Sequence, residues 1–372
     1  MPYFTVEPKY SKDDLFDRRA ELVRFTRYVE YKPLTIVSGP RRIGKTSLVN
    51  VGLKELNMPY ILIDCRLLPV NPSRRVMLSL LEGGLNRLLI LLYEGAESLK
   101  EYLGRVKGVF FEEGRVRLVW RRRDHLNLCE LVEVLDEWGR DHGFRVALIL
   151  DEAQNLKGVK EVVGLLAHIY DYNLNIAVVL TTSQKDYLYE TLRLNDPSSP
   201  LYGRLIVEVS LKPFNESESY DFLVEGFKQH RVYPPGRVLE YAVKRLGGIP
   251  GWLTMFGVEA LEQGVYEEVV DRVLEKASYL AMSDLELFLR RRLIARRRYL
   301  EVLKAIAMGL DRWSLIRGYL EAREGCWVPD STIANILDSL RKAQFISYEG
   351  GRYVVKDPAL TYALKSRSKS IL

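Results

Sequence analysis

The sequence predicts an α/β protein with a parallel-sheet core, then a small all-helical segment, then a winged helix-turn-helix. Continuous apolar runs at 34–38, 60–64, 145–150 and 175–180 alternate with stretches of helical periodicity. That is the pattern of strands covered on both faces. Beyond Asn215 no such run recurs and only helical patterns follow. The chain then closes on three helical stretches and a hairpin turning at Gly350-Gly351.

Taken in order, residues up to about Lys12 read as an irregular arm. Residues 13–22 read as a turn opening a helix to about Tyr31, which Pro33 stops. The strand at 34–38 leads into a glycine-bounded loop and a helix from Lys45 to about Leu56. After the strand at 60–64, Asn71-Pro72-Ser73 caps a helix expected to reach about Glu97. Residues 107–123 break the pattern: Val116, Leu118 and Trp120 alternate with Arg115, Arg117, Val119 and Arg121 after a Glu113-Gly114 turn, a hairpin inserted on the core. Its end, Arg121-Arg122-Arg123, reads either as a solvated charged edge or as a contact for a partner or nucleic acid. Helices at about 124–143 and 159–172 flank the strand at 145–150, and a strand at 205–209 completes the core. Lys212-Pro213-Phe214 marks a boundary. The expected domains are a core at 1–212, a helical lid at 213–287 and a winged-helix domain at 288–372. Within the lid, helices are expected at about 217–229, 234–246, 251–263 and 266–287.

The three cysteines, Cys65, Cys129 and Cys326, are far apart and odd in number. They point away from a disulfide framework or zinc site and towards a reducing, cytoplasmic setting. No run of about eighteen apolar residues exists, so no membrane partner is expected, and the N-terminus lacks the basic start and apolar core of a signal peptide. The net charge of +6 is unevenly spread. Residues 287–372 hold 17 Lys and Arg against 8 Asp and Glu, so a polyanion would bind there if one binds at all.

Gly39-Pro40-Arg41-Arg42-Ile43-Gly44-Lys45-Thr46-Ser47 follows a strand and opens a helix. This is the phosphate-binding P-loop spacing in its confirming context. Gly39 and Gly44 let the backbone curl so that successive N–H groups face one phosphate. The helix from Lys45 adds its positive dipole end. Lys45 brings a charge to the β- and γ-phosphates, and the Thr46 hydroxyl is a hard ligand suited to Mg²⁺. The apolar run at 145–150 ends in Asp151-Glu152. Asp151 is placed to hold the Mg²⁺ shell beside Thr46, and Glu152 to polarise an attacking water. The next strand ends in Thr181-Thr182-Ser183, where Thr181 or else Ser183 would sense the γ-phosphate or position water, unless these hydroxyls only cap the strand. Arg204 follows Gly203 on a surface loop. It reads as an arginine finger, in cis or in trans, or as an edge-strand arginine.

With these residues assembled, the chain resembles an archaeal AAA+ ATPase of the STAND-like P-loop NTPase group with a C-terminal winged helix. The matching stretches are Leu15-Phe16-Asp17-Arg18-Arg19-x-Glu21-Leu22, the loop from Gly39 to Thr46, Leu148 to Gln154, Thr181 to Ser183, Pro200 to Arg204 and Gly248-Ile249-Pro250. The resemblance implies that Phe16 and Arg18 line an adenine pocket, that Pro250 at the start of a lid helix contacts the nucleotide, and that the ligands are ATP or ADP with Mg²⁺. It departs from the family pattern in two places. Asp17 stands where a glycine is usual, a position Asp tolerates in a left-handed turn. No arginine lies in Gly248-Ile249-Pro250-Gly251-Trp252, with Arg245 the nearest.

The resulting expectation is an ATP-hydrolysing switch whose nucleotide state controls the winged helix, which binds double-stranded DNA or a protein partner; homo-oligomers belong to the same picture. Thr332, Asn335, Arg341 and Lys342 are the candidate DNA contacts on the third helix of that module, which also carries Asp330 and Asp338. The alternatives are a DNA-binding module tuned by nucleotide with little turnover and an ADP-locked scaffold.

Overall fold

The structure is a computed structural model that describes residues 2–69, 72–92, 95–119, 126–290 and 292–366. It divides into two compact units. One comprises Pro8–Gly39 and Lys45–Leu211. The other joins the N-terminal arm up to Glu7, the loop segment Pro40–Gly44 and Lys212–Leu372.

In the first unit, α1 (Arg19–Tyr31) precedes β1 (Leu34–Ser38), α2 (Lys45–Glu55) and β2 (Tyr60–Asp64), followed by α3 (Arg74–Leu92) and α4 (Ala96–Leu103). The hairpin β3 (Val109–Glu112) and β4 (Arg115–Leu118) leads to α5 (Leu128–His142), β5 (Val146–Asp151), α6 (Lys160–Tyr172), β6 (Ile176–Thr182), α7 (Lys185–Leu192) and β7 (Val207–Ser210). Five strands form a parallel sheet in the order β2-β5-β6-β1-β7. Every residue of the inner strands β1 and β6 is buried, whereas the edge strand β2 alternates between buried and half-buried positions. This is what helices on both faces of the sheet centre demand of their sequences, and it accounts for the unbroken apolar runs. The chain leaves β1, next to the edge strand β7, and crosses to β2 at the opposite edge. Such a switch in strand order opens a crevice at the carboxyl ends of the strands.

The inserted hairpin pairs Val109 with Leu118 and Phe111 with Val116 in an antiparallel two-stranded sheet, with Val116 buried and Arg115 and Arg117 exposed. The expected basic tip Arg121-Arg122-Arg123, with Trp120, lies outside the described residues. The single helix expected up to Glu97 is two helices, because α3 ends at Leu92 and Gly95 opens α4. Helix α7 was not anticipated. Its eight residues bury only Leu188 and Leu192, too few to show a period.

In the second unit, α8 (Glu216–Gln229), α9 (Gly236–Leu246), α10 (Pro250–Gln263) and α11 (Glu267–Leu289) form the helical segment. Then follow α12 (Arg296–Ala307), α13 (Trp313–Glu324), α14 (Asp330–Lys342), the hairpin β8 (Ile346–Glu349) and β9 (Arg352–Val355), and α15 (Pro358–Ser366). A capping box between Asn215 and Glu218 starts α8. The N-terminal arm is irregular but anchored. Phe4 is buried edge-on against Phe222 and Phe227, where Gly226 and Gly257 leave no room for a Cβ, which would come within 2.3 and 2.4 Å of the ring. Helix α15 was also unforeseen; it packs on α11 through a buried stripe of Ala359, Leu360, Ala363 and Leu364.

Candidate nucleotide site

Four carboxyl-terminal strand ends converge in the first unit. The strands place Val37 beside Thr181, Ser38 beside Thr182 and Asp64 beside Asp151. Gly39, at φ 150°, donates its N–H to the Thr182 carbonyl at 3.2 Å, which ties the root of the loop to β6. Gly44 turns at φ 97° and has open space where a side chain would stand. Only a residue without Cβ holds that conformation at low cost.

Lys45 opens α2 and is buried. Its Nζ donates to the Gly39 carbonyl at 2.9 Å and lies 3.7 Å from Oε1 of Glu152. Thr46 is exposed, and the Ser47 hydroxyl accepts the Lys9 N–H at 3.1 Å. Glu152 follows β5 in a left-handed conformation, φ 52° and ψ 50°. A glutamate gains nothing locally from that geometry, so its surroundings impose it. Its N–H donates to Thr181 Oγ1 at 3.0 Å, and its Oε2 accepts from Ser183 Oγ at 2.6 Å and Gln154 Nε2 at 2.5 Å. Thr181 Oγ1 in turn donates to Asp151 Oδ1 at 2.5 Å, and Thr182 Oγ1 to Gln154 Oε1 at 2.8 Å. Lys45, Asp151, Glu152 and Thr181 therefore form one buried polar network. Both hydroxyls weighed at the end of β6 take part, Thr181 on Asp151 and Ser183 on Glu152.

Asp151 titrates above the usual aspartate range. Burial is the main cause, the nearby Glu152 and Asp64 charges add to it, and the Thr181 hydrogen bond and the Arg66 charge act against it. Arg66 embraces Asp64 with Nε and Nη2 at 2.8 and 2.7 Å and lies 3.7 Å from Asp151 Oδ2. Burial pushes Asp64 up, but the Arg66 hydrogen bonds and charge outweigh it and hold it below the usual range. The Cys65 thiol beside them is pushed far up, by burial first and then by the three carboxylates. A divalent cation would relieve this excess of negative charge. Carboxylate and hydroxyl oxygens are the hard donors that Mg²⁺ takes, one or two from protein and the rest from phosphate and water, so the residues fit that ion.

The other residues singled out in the sequence are placed as follows. Phe16 is half-buried, and Arg18 is buried with Nη1 3.3 Å from Glu21 Oε1. Asp17 adopts φ 45°, the left-handed turn expected of it. Arg204 forms a two-point pair with Asp171 on α6, 3.1 and 2.5 Å, and its guanidinium lies 5.7 Å from the Tyr170 ring. In the second unit, Ile43 is buried and Pro250 is the first residue of α10. Arg41 and Arg42 both pair with Asp284 on α11. Gly251 donates its N–H to the Arg42 carbonyl at 3.0 Å. Sequence reasoning had no role for Asp64 or Gln154 and did not weigh Arg66, Asp284 or Gly251. Asp64 had a readable signal, since it ends an apolar run as Asp151 does.

Residues 15–256 match the family described as an ATPase domain predominantly from Archaea, and residues 293–354 match the C-terminal winged helix-turn-helix domain of MCM proteins. Among solved structures, the Walker-type ATPase paby2304 of Pyrococcus abyssi shares 35% identity over 98% of this chain and 99% of its own, with a TM-score of 0.82. The ORC2 protein of Aeropyrum pernix, solved as ADPNP–ADP complexes, shares the fold at 15% identity and a TM-score of 0.62 over 97% of this chain and 96% of its own. Comparison with curated proteins gives no match.

Proposed function

The chain belongs to the ATPase family found predominantly in Archaea, and from that premise we propose that it is a Mg²⁺-dependent ATP-hydrolysing switch whose nucleotide state controls its C-terminal winged helix. The observation that carries this reading is the grip on Glu152. Its carboxylate is aimed by Ser183 and Gln154 and held 3.7 Å from the Lys45 ammonium.

Lys45 and the loop N–H groups hold the β- and γ-phosphates of the substrate ATP. Once a phosphate takes the Lys45 charge, Glu152 is released as a base. A water oxygen then attacks the γ-phosphorus, the bond to the ADP oxygen breaks, and the water proton moves towards the Glu152 carboxylate. Thr46 and Asp151 would hold Mg²⁺, which neutralises charge on the phosphates. Thr181 fixes Asp151 and the Glu152 backbone together, and so positions both. Phe16, Arg18 and Pro250 are assigned to the nucleotide by the family resemblance, as is the grouping with STAND-like signalling ATPases. Arg204 is the arginine finger of this scheme, in cis or in trans, and would leave its pair with Asp171 to act. The core ends near residue 212, the helical lid near 287, and the winged helix takes the remainder.

The test is phosphate release by the parent and by Glu152→Gln. The variant is expected to bind ATP as the parent does and to lose about 10²- to 10⁴-fold in turnover. Equal rates remove the role given to Glu152. A second reading, duplex-DNA binding tuned by nucleotide, is favoured by the basic surplus of residues 287–372.

A further inference from the structure

Two arginines of the phosphate loop are already occupied by an anion that belongs to the protein. Asp284 accepts from Nη1 of Arg41 with one carboxylate oxygen and from Nη1 of Arg42 with the other. The arginine side chains remain 35% and 26% exposed, while Asp284 is 13% exposed. The same loop segment is fixed further by its backbone. Arg42 is left-handed, φ 62°, and its guanidinium lies 4.5 Å from the Trp252 ring. A Cβ on Gly251 would come within 2.6 Å of the Arg42 Cβ, so the start of α10 fits closely against this conformation.

Both contacts lead into the winged helix. Phe288 stands four residues after Asp284, one turn along the same face of α11. It packs edge-on against Phe345, just before β8, and Tyr299 of α12, with ring centroids 5.2 and 5.8 Å apart. Trp252 donates its indole N–H to Asp357 at 3.1 Å, just past β9. The arginines are thus joined to the winged helix through Asp284 and through Trp252.

We propose that Asp284 competes with the nucleotide phosphates for Arg41 and Arg42. The helix leading into the winged helix thereby holds the loop in a low-affinity state, and phosphate binding releases that helix. A guanidinium pairs with a carboxylate or a phosphate through the same N–H donors, so the two anions exclude one another. By linkage, whatever loosens Asp284 tightens nucleotide binding, and nucleotide loosens Asp284. The inference rests on nucleotide binding at this loop, and its test separates the two.

Equilibrium binding of a fluorescent ATP analogue with Mg²⁺ would be measured on the full chain for the parent, Asp284→Asn, Arg41→Gln/Arg42→Gln, and the triple variant. Asp284→Asn is expected to bind about tenfold more tightly than the parent. In the Arg41→Gln/Arg42→Gln background the same change should leave affinity unaltered. Amide exchange across α14, β8 and β9 should respond to ATP in the parent and not in Asp284→Asn. Unchanged or weaker binding by Asp284→Asn, with a parent-like melting temperature, overturns the inference and leaves the loop's function standing. Asp284→Ala, if also unchanged or weaker, overturns it should the Asn form fail to fold. A parent that binds no nucleoside triphosphate overturns both.

Discussion

At the strand ends, Asp64, Asp151 and Glu152 bring three carboxylates together around Lys45 and the guanidinium of Arg66. In the winged helix, several cations are paired with carboxylates, some of them shared. Arg298 pairs with Glu324, Arg317 with Glu321 and Asp330, Arg323 with Glu301, Arg352 with Asp311, and Arg341 and Lys342 with Asp338. The first region gathers carboxylates around buried Asp151 and Glu152 and keeps Asp151 above its ordinary range. The second pairs part of its basic surplus with carboxylates at the surface. Charge gathered under burial is costly, so the first region is the one that a bound ligand would relieve.

The sharpest way to break that contrast is Lys45→Ala. Removing a buried, hydrogen-bonded charge costs about 2–5 kcal/mol, or roughly 30-fold and upward in affinity. ATP binding measured by titration calorimetry should therefore fall below detection. Retained micromolar binding would show that the loop is not the phosphate site. The next effect is Thr181→Val, which keeps the shape of the side chain and removes the hydroxyl shared by Asp151 and the Glu152 N–H. Turnover is expected to drop about tenfold or more, with a smaller change in the Michaelis constant, as is usual for a residue that positions the reacting groups. A change confined to the Michaelis constant would assign Thr181 to binding instead.

Much of the first region was legible because its residues are read locally. The phosphate loop is one continuous stretch, and Asp151-Glu152 ends an apolar run that could only be a buried strand. What stayed hidden needed long-range pairing. Asp284 meets Arg42 across 242 residues, and nothing on α11 sets this aspartate apart from the exposed acids around it. Gln154 carries no role in the sequence and gains one only because β6 brings Thr182 and Ser183 against it. The left-handed backbone of Glu152 is equally invisible in a sequence, because only tertiary contacts impose it. In the second region, charge counting found the basic surplus of 287–372, but the count does not reveal how many of those cations are already paired.

A smaller effect tests Arg204 as a bridge between molecules. Specific ATPase activity is expected to rise with protein concentration in the parent, and the rise should vanish in Arg204→Ala. The loss of the exposed Arg204–Asp171 pair should itself cost only about 0.2–1 kcal/mol of stability, so the variant remains folded. A rate per chain that is flat across concentration in the parent rules out the role in trans.

The smallest effect belongs to the winged helix. Lys342 and Arg341 hold Asp338 below the usual carboxylate range, with the Lys342 hydrogen bond the main cause and burial opposing it. Because the folded value is the lower one, the stabilisation from Asp338 is present above its unfolded value and is lost as pH falls through the folded value. While Asp338 is ionised, both cations are partly spent inside the helix. Asp338→Asn releases them at little cost in shape. If α14 faces duplex DNA, the variant should bind more tightly than the parent at low salt, and its plot of log affinity against log salt should steepen by about one to two charges. Fluorescence anisotropy with a labelled duplex across salt concentrations measures that slope directly. An unchanged slope, with parent and variant both binding, would place the DNA contact elsewhere on the basic segment, and binding by neither would assign the winged helix to a protein partner.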